Sequence, residues 1–383
     1  MGEPLRVGVV GCGVISEQYL TTLVGAAEVD VVAVADVDRT RADVTAQRRG
    51  LRAVDLPELY ALDGLEWVLD LTTPAAHEQV ALDAIAHGRS VHNEKPLCST
   101  VAAARRVLEA AGAAGLAVGG APDTVLGTGV QTARAAVEAG AIGRPVAATA
   151  TMACGGHEAW HPQPDFYYAP GGGPLLDMGP YYLTTLVHLL GPVTAVQGVA
   201  TRPRTHRTIG QGPRAGEQVP VDVATHVTAL VEHASGAVTT LLMSFDAPAT
   251  TASPIEVHGE EGSLLVPDPN RFDGDVRVHA RGDEWRTLPV SAGYAGAGRG
   301  VGLVDAARSA DRRTTRASAD VALHVLDTME TVLRAADART RLEVATTCDV
   351  PPLVPLTDLT PLSDPNPGRP DMPTPTPHAR AAS

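Results

Sequence analysis

One lysine stands in a chain of 383 residues: Lys95, in the run His92-Asn93-Glu94-Lys95-Pro96. The rest of the 30 basic side chains are arginine. A guanidinium keeps its proton throughout the physiological range, whereas a partly buried ammonium shifts its pKa and can pass a proton on. Where a positive charge needs only solvation this chain uses arginine, so its single amine marks a place for acid–base work. Pro96 biases Lys95 toward extended backbone, as at the end of a strand. The competing reading is a leftover surface lysine in an arginine-biased chain, and the motifs below weigh against it because they converge on the same place.

A second group of reactive side chains lies further on. The run Gly171-Gly172-Gly173-Pro174-Leu175-Leu176-Asp177-Met178-Gly179-Pro180-Tyr181-Tyr182 opens a helix expected to reach Leu190. Asp177 and Tyr181 are four apart and share one face of it. Before it runs a polar, aromatic loop from His157 through Trp160, His161 and Phe166 to Tyr167 and Tyr168. Of only 13 aromatic residues (3 Trp, 7 Tyr, 3 Phe), six fall between Trp160 and Tyr182. Aromatic faces bounded by polar groups suit the apolar faces and hydroxyl rims of sugar rings. A small core beneath a long loop explains them equally well, and both readings stand here.

The elements that must hold these groups begin with a strand, Leu5 to Val10, followed at once by Gly11-Cys12-Gly13-Val14-Ile15-Ser16 and a helix to about Val24. A fully apolar strand, Val29 to Ala35, then ends on Asp36. Strand, glycine turn, helix and an acid-tipped second strand make the βαβ unit of a dinucleotide-binding domain. Gly11 makes the tight turn, and Gly13 lets backbone N–H groups approach a pyrophosphate at the helix N-terminus. Ser16 stands where a third glycine is usual. Asp36, 25 residues after Gly11, is placed to hold the ribose hydroxyls and to repel a 2′-phosphate, which favours NAD over NADP. Arg39 and Arg41 could soften that preference. Strand–helix alternation repeats through Trp67 to Leu71, then Thr72-Thr73-Pro74 with a helix near His77, then Ser90 to His92 with a helix from Val101 to Ala114. Ligands of such sheets gather beyond the carboxyl ends of the strands, where Gly11, Asp36, Thr72, Lys95 and Asp123 all fall. His77 reads either as a helix-start packing residue or as a cofactor contact.

From about residue 125 the pattern becomes one of antiparallel strands, among them Ala195 to Thr201, Thr225 to Glu232 and Ala237 to Phe245, with a last helix from Ala319 to Ala336. Leu241, Met243 and Phe245 share one face of their strand, and Val238 and Leu242 the other; the second face is expected to meet another subunit. Ten prolines among residues 351–383 mark a loose or surface-draped tail. The net charge of −14, without a basic cluster, argues against nucleic acid and anionic membranes. The four cysteines form no CxxC pair, so neither a disulfide framework nor a zinc site is expected. No apolar run approaches the ~20 residues that span a bilayer. A soluble, cytoplasmic protein is expected.

Taken together, Gly11-Cys12-Gly13-Val14-Ile15-Ser16, Thr72-Thr73-Pro74, Glu94-Lys95-Pro96 and the glycine-rich run into Asp177-Met178-Gly179 resemble the Gfo/Idh/MocA oxidoreductases, the group of glucose–fructose oxidoreductase and inositol dehydrogenase, over residues 5 to 345. The resemblance implies an α/β Rossmann domain (residues 1–124) and an α+β domain with a large, mainly antiparallel open sheet (residues 125–350), before the tail. It implies NAD between the domains and a sugar, cyclitol or similar polyol against the nicotinamide. Carried over by position, Lys95, Asp177 and Tyr181 become the catalytic residues. The cofactor contacts become Gly11, Cys12, Gly13, Val14, Ile15, Asp36, Thr72, Thr73, Pro74, His77, Glu94 and Lys95. Asp123, Trp160, His161, Tyr167, Tyr168 and Tyr182 are the candidate substrate contacts. Many dehydrogenases of the family carry histidine where this chain has Tyr181, so substrate identity does not transfer. The implied reaction is reversible oxidation of a secondary alcohol or hemiacetal carbon, and the apolar second face of the Ala237 to Phe245 strand points to a homodimer or homotetramer. The alternatives are an NAD-assisted glycoside hydrolase or lyase that oxidises a ring carbon only transiently, and a non-catalytic NAD-binding regulator.

Overall fold

A computed structural model describes residues 3–359. Strands β1 (Leu5–Val10), β2 (Val29–Ala35), β3 (Trp67–Asp70), β4 (Ser90–Asn93) and β5 (Val118–Gly120) form a wholly parallel sheet in the order β2-β1-β3-β4-β5. Helices α1 (Ser16–Gly25), α2 (Arg39–Arg49), α3 (Leu56–Tyr60), α4 (Pro74–Ala86) and α5 (Val101–Ala114) make the connections. Their ends follow from local chemistry. Asp38 accepts the Thr40 N–H at the start of α2 and Thr100 accepts the Ala103 N–H at the start of α5. Gly50 and Gly115 close the same two helices in the left-handed conformation. The chain steps from β1 to β2 on one side and then to β3 on the other. The strand order therefore reverses between β1 and β3, and the crevice above that point is where such sheets take ligands.

The second sheet is built from β6 (Pro145–Ala153), β7 (Val193–Thr201), β10 (His226–His233), β11 (Val238–Ser244), β12 (Ile255–Gly259), β13 (Gly262–Val266), β14 (Arg277–Ala280) and β15 (Arg286–Thr287), with β8 (His206–Thr208) and β9 (Gln218–Pro220) forming a separate hairpin. Its order is β15-β14-β13-β12-β6-β11-β10-β7, closed at the edge by Leu342–Glu343. The sheet is mixed rather than antiparallel throughout, because β6 and β11 run parallel. Parallel neighbours need a long crossover, and the aromatic loop, α7 (Pro174–Leu190) and the strands after it supply one.

Helices α6 (Thr128–Glu138), α7, α8 (Val301–Arg308) and α9 (Ala319–Ala338) complete the chain. Leu241 and Met243 on β11 and Phe245 just after it are fully buried, each worth about 1.5–3 kcal/mol of apolar transfer. The opposite face carries Leu242 and Val238, with Val199 64% and Leu230 48% exposed on neighbouring strands. Helix α8 packs back on the first sheet: Val301, Leu303 and Val304 share a core with Leu20, Leu23 and Val34. The start of the proline-rich segment takes the surface-draped form of the two expected. Val354 is buried with its N–H on Gln131 Oε1 at 2.9 Å, and Thr357–Asp358 pairs in parallel with Tyr294–Ala295. Prolines deny a segment a central place in a sheet, not a two-residue edge pairing. The rest of the expected tail, residues 360–383, lies outside the described residues.

Candidate active site

Lys95 follows β4 in a turn fixed from three sides. Asn93 Nδ2 donates across the turn to the Leu97 carbonyl at 2.9 Å. Glu94 accepts the Tyr19 hydroxyl from α1 at 2.8 Å and the Lys95 N–H at 2.6 Å. His77, fully buried, has Nδ1 2.9 Å from the Pro96 carbonyl and Nε2 3.2 Å from the Thr72 carbonyl. It thus ties the turn after β3 to the turn after β4. Asp70 at the end of β3 accepts both the N–H and the hydroxyl of Thr72, at 2.9 and 2.6 Å, which sets the start of Thr72-Thr73-Pro74.

The second half of the site arrives on α7. Gly173 has φ 93°, and the helix opens at Pro174, which needs no N–H partner in the first turn. Asp177 lies in that first turn, and Lys95 Nζ donates to its Oδ1 and to its carbonyl oxygen, both at 2.8 Å. The other carboxylate oxygen accepts from His157 Nε2 at 3.1 Å. Burial opposes the charge on Asp177, but the Lys95 ammonium and the hydrogen bonds from His157 and Lys95 prevail and hold the carboxyl well below its usual range. Burial likewise opposes the charge on Lys95, yet Asp177, and after it Tyr181 and Glu94, hold the ammonium above its ordinary value. Lys95 is therefore a charged hydrogen-bond donor in this arrangement. One turn along α7, the Tyr181 ring lies beside it, with Nζ 5.5 Å from the ring centre.

Across the crevice, Gly11 has φ 98° and a side chain there would meet the backbone of Leu71 and Thr72 below 3 Å, so the turns after β1 and β3 touch at the switch point. Asp36 ties the end of β2 to the same turn, accepting the Cys12 N–H at 2.7 Å and the Asp38 N–H at 2.8 Å. The residues fit a dinucleotide. A side chain at Gly13 would meet nothing, and among the described residues the N–H groups of Gly13, Val14 and Ile15 have no acceptor. Val14 and Val37 flank this shelf 94% and 97% exposed. Such a shelf of free N–H groups at a helix start takes a pyrophosphate.

The aromatic loop divides. Trp160 and Phe166 are exposed, and rings run from Trp160 to His157 (5.2 Å) and from His157 to Tyr167 (4.4 Å), with His161 5.6 Å from Tyr167. Trp160 and Tyr167 thus pack on the ring of His157, which hydrogen-bonds Asp177. Tyr168 and Tyr182 are buried instead, and the Tyr168 hydroxyl bonds Glu158. Asp123 is also buried, its Oδ2 accepting the N–H groups of Gly300 and Gly302 at 2.8 and 3.1 Å at the start of α8. These three side chains pack or cap.

Three residues carry no sequence signal by themselves for the places they take. His157 begins the aromatic loop and is one of several polar residues there. Arg299 stacks its guanidinium 5.5 Å from the Tyr181 ring, and nothing in the sequence separates it from the other arginines. Arg207, buried on β8, joins Glu158 (2.9 Å) and Asp246 (2.5 Å) and anchors the aromatic loop from below. Its signal was an arginine in the middle of a short β-rich run, legible only once that run is known to fold inward.

A five-stranded parallel sheet with a glycine turn and an acid at its switch point, faced by a lysine–aspartate pair from the helix of a second sheet, defines a two-part dinucleotide-binding α/β protein. The chain belongs to the GFO/IDH/MocA family: residues 5–120 match the oxidoreductase family with NAD-binding Rossmann fold, and residues 130–265 match the GFO/IDH/MocA C-terminal domain. Inositol 2-dehydrogenase of Burkholderia cenocepacia (strain HI2424) is 39% identical over 113 residues, which is 28% of this chain and 33% of that enzyme. The enzyme of the same name from Ralstonia nicotianae is 37% identical over 117 residues, again 28% and 33%. The chain thus spans about a third of the length of these relatives. An NAD binding oxidoreductase from Klebsiella pneumoniae shares the fold, with a TM-score of 0.78 at 22% identity, over 90% of this chain and 100% of that one. Levoglucosan dehydrogenase in complex with NADH and L-sorbose does so with a TM-score of 0.77 at 20% identity, over 90% and 100%. No helix among the described residues is long and apolar enough to cross a membrane.

Proposed function

We propose that this protein is an NAD-dependent dehydrogenase acting on a CH–OH group of a sugar, cyclitol or similar polyol. The observation that carries the reading is the Lys95–Asp177 pair, 2.8 Å long, on the far side of the crevice from the Gly11–Gly13 turn. When bound, the nicotinamide supplies the hydride acceptor or donor. The turn and the start of α1 would hold the pyrophosphate, Asp36 the adenosine ribose, and Thr72, Thr73, Pro74 and Glu94 the inner end. Lys95, kept charged by Asp177, would donate to the reacting oxygen and stabilise negative charge as it develops there. Tyr181, one helical turn away, would exchange the hydroxyl proton, and His157 would hold the outer oxygen of Asp177. Trp160, His161 and Tyr167 would present ring faces and polar edges to the polyol.

In the same reading residues 1–124 are the cofactor domain and residues 125–350 the substrate domain, with α8 returned to the first. The uncovered sheet face favours a homodimer or homotetramer. Free thiols at Cys12, Cys98, Cys154 and Cys348 favour a reducing, cytoplasmic setting. The relatives' names direct the test. The full-length protein is offered NAD with myo-inositol, levoglucosan, L-sorbose and a panel of aldoses and cyclitols, and NADH is read by absorbance. Steady NADH formation on one of them is expected. Turnover of substrate without NADH, with solvent deuterium entering the product, would replace this reading by transient oxidation.

A further inference from the structure

Arg299 lies on the loop that leads into α8, with Cζ 5.5 Å from the centre of the Tyr181 ring. Lys95 Nζ stands at the same 5.5 Å from that ring, so two cations flank one phenol. They differ in what else they touch. Lys95 is neutralised by Asp177. Arg299 is held by neutral amides: its Nε donates to Gln18 Oε1 at 3.0 Å and its Nη2 to Asn270 Oδ1 at 2.8 Å. Its Nη1 is buried without a partner, and among the described residues Arg299 forms no ion pair. An amide fixes a guanidinium's direction without cancelling its charge, so the field of Arg299 falls on the ring it covers.

We propose that Arg299 is a positioning residue whose charge, fixed over the ring by neutral amides, stabilises the deprotonated form of Tyr181. The inference rests on the reading of Tyr181 as the proton-exchanging group. In that exchange the O–H bond of the substrate breaks and an O–H bond on the phenolate forms. Other groups also face the phenol. Burial disfavours the phenolate most; Lys95 from the β4 turn and Arg299 from the α8 loop favour it; Glu94 and, on its own helix, Asp177 oppose it. Tyr167 from the aromatic loop is a further neighbour, and Tyr19, Glu94 and Asp123 act on Arg299 itself, the two carboxylates without forming an ion pair with it. Lys95 is tied to Asp177 and placed for the reacting oxygen, so Arg299 is the cation over the ring that can be removed without breaking that pair.

The test reads the phenol rather than turnover. Full-length protein labelled with 13Cζ-tyrosine, saturated with NAD, is titrated by NMR, with the Tyr181 signal assigned from Tyr181→Phe. Wild type, Arg299→Gln and Arg299→Lys are compared, with circular dichroism confirming that each is folded. The acid dissociation constant of Tyr181 is expected to fall at least about tenfold in Arg299→Gln, one pKa unit, and to return most of the way in Arg299→Lys. A merely structural arginine would show no such dependence on charge. An unchanged Tyr181 titration in folded Arg299→Gln overturns the proposal, as does a phenol that stays protonated in all three proteins up to alkaline unfolding. Failure of the dehydrogenase reading would show elsewhere, as absence of NADH formation by wild type, and leaves this titration intact.

Discussion

Lys95 Nζ grips Asp177 at two points, the carboxylate Oδ1 and the main-chain carbonyl, both at 2.8 Å. The residues are 82 positions apart, one at a strand end of the first sheet and the other in the first turn of a helix over the second. A single ammonium can satisfy both acceptors from one tip atom, whereas a planar guanidinium spreads its donors over a fork.

Lys95→Arg should therefore keep the charge but lose the dual contact that aims it at the reacting oxygen. Turnover on the identified substrate should fall about 10²–10³-fold, the cost of a misplaced charge-stabilising donor. NAD affinity, measured by isothermal titration, should stay at the wild-type value because the glycine turn and Asp36 are untouched. Near-normal turnover would show that any cation at this place serves and that the geometry of the Lys95–Asp177 pair is not needed.

The same pair sets a pH dependence. The folded value of Asp177 is depressed, so its contribution to stability is present above the unfolded value near ~3.9 and is lost as pH falls through the lower folded value. The folded value of Lys95 is raised, so its contribution is present below the unfolded value near ~10.4 and is lost only as pH rises through the higher folded value. Thermal melts of Asp177→Asn and wild type should differ by a constant amount between about pH 5 and 9, with the gap closing below about pH 4. A gap that widens in acid would contradict the pairing.

NAD should bind at least about tenfold more tightly than NADP, since Asp36 would face the added phosphate. The nearby arginines are already engaged: Arg39 with Asp43 and Asp55, both at 2.9 Å, and Arg41 with Asp38 at 3.3 Å. Asp36→Ser should narrow the preference in titrations with both cofactors. Equal binding of the two by wild type would mean that one of these arginines leaves its carboxylate for the phosphate.

Arg207 supports the substrate loop through Glu158, Asp246 and the carbonyls of Gly155 and Phe245. Its side chain is 1% exposed, so Arg207→Ala would leave the buried Glu158 and the half-buried Asp246 without their cation and should cost about 3–5 kcal/mol in urea unfolding. Tryptophan fluorescence from Trp160 should change with it. A loss under about 1 kcal/mol, the range of surface pairs, would show the network to be dispensable.

Light scattering at micromolar concentration should give a dimer or tetramer. Leu242→Arg, on the sheet face that carries the exposed Val199 and Leu230, should shift it toward monomer without loss of folding. A monomeric wild type would leave that face without a role in assembly.

The local pattern of the chain was enough for the first sheet. Alternating strand and helix, caps at Asp38 and Thr100 and the glycine turn after β1 are near-neighbour effects, and β2 and α5 run from Val29 to Ala35 and from Val101 to Ala114 as the sequence suggests. The rarity of lysine and the spacing of Asp177 from Tyr181 likewise picked out two sides of the site without coordinates. What near-neighbour chemistry could not supply was partnership. The parallel contact of β6 with β11, the docking of α8 against α1 and the pairing of Thr357–Asp358 with Tyr294–Ala295 join segments far apart in the chain. The sequence likewise offered Tyr168, Tyr182 and Asp123 as polar groups near a ligand, and tertiary packing turned them inward. His157, Arg207 and Arg299 are ordinary residues in loops and a short strand, and their roles come from what the fold places opposite them: one carboxylate oxygen, two acids and one aromatic ring. Periodicity records which face of an element is apolar. The orientation of a side chain toward a residue a hundred positions away is settled only when the whole core closes, because the energy that fixes it belongs to the contact and not to the chain on either side.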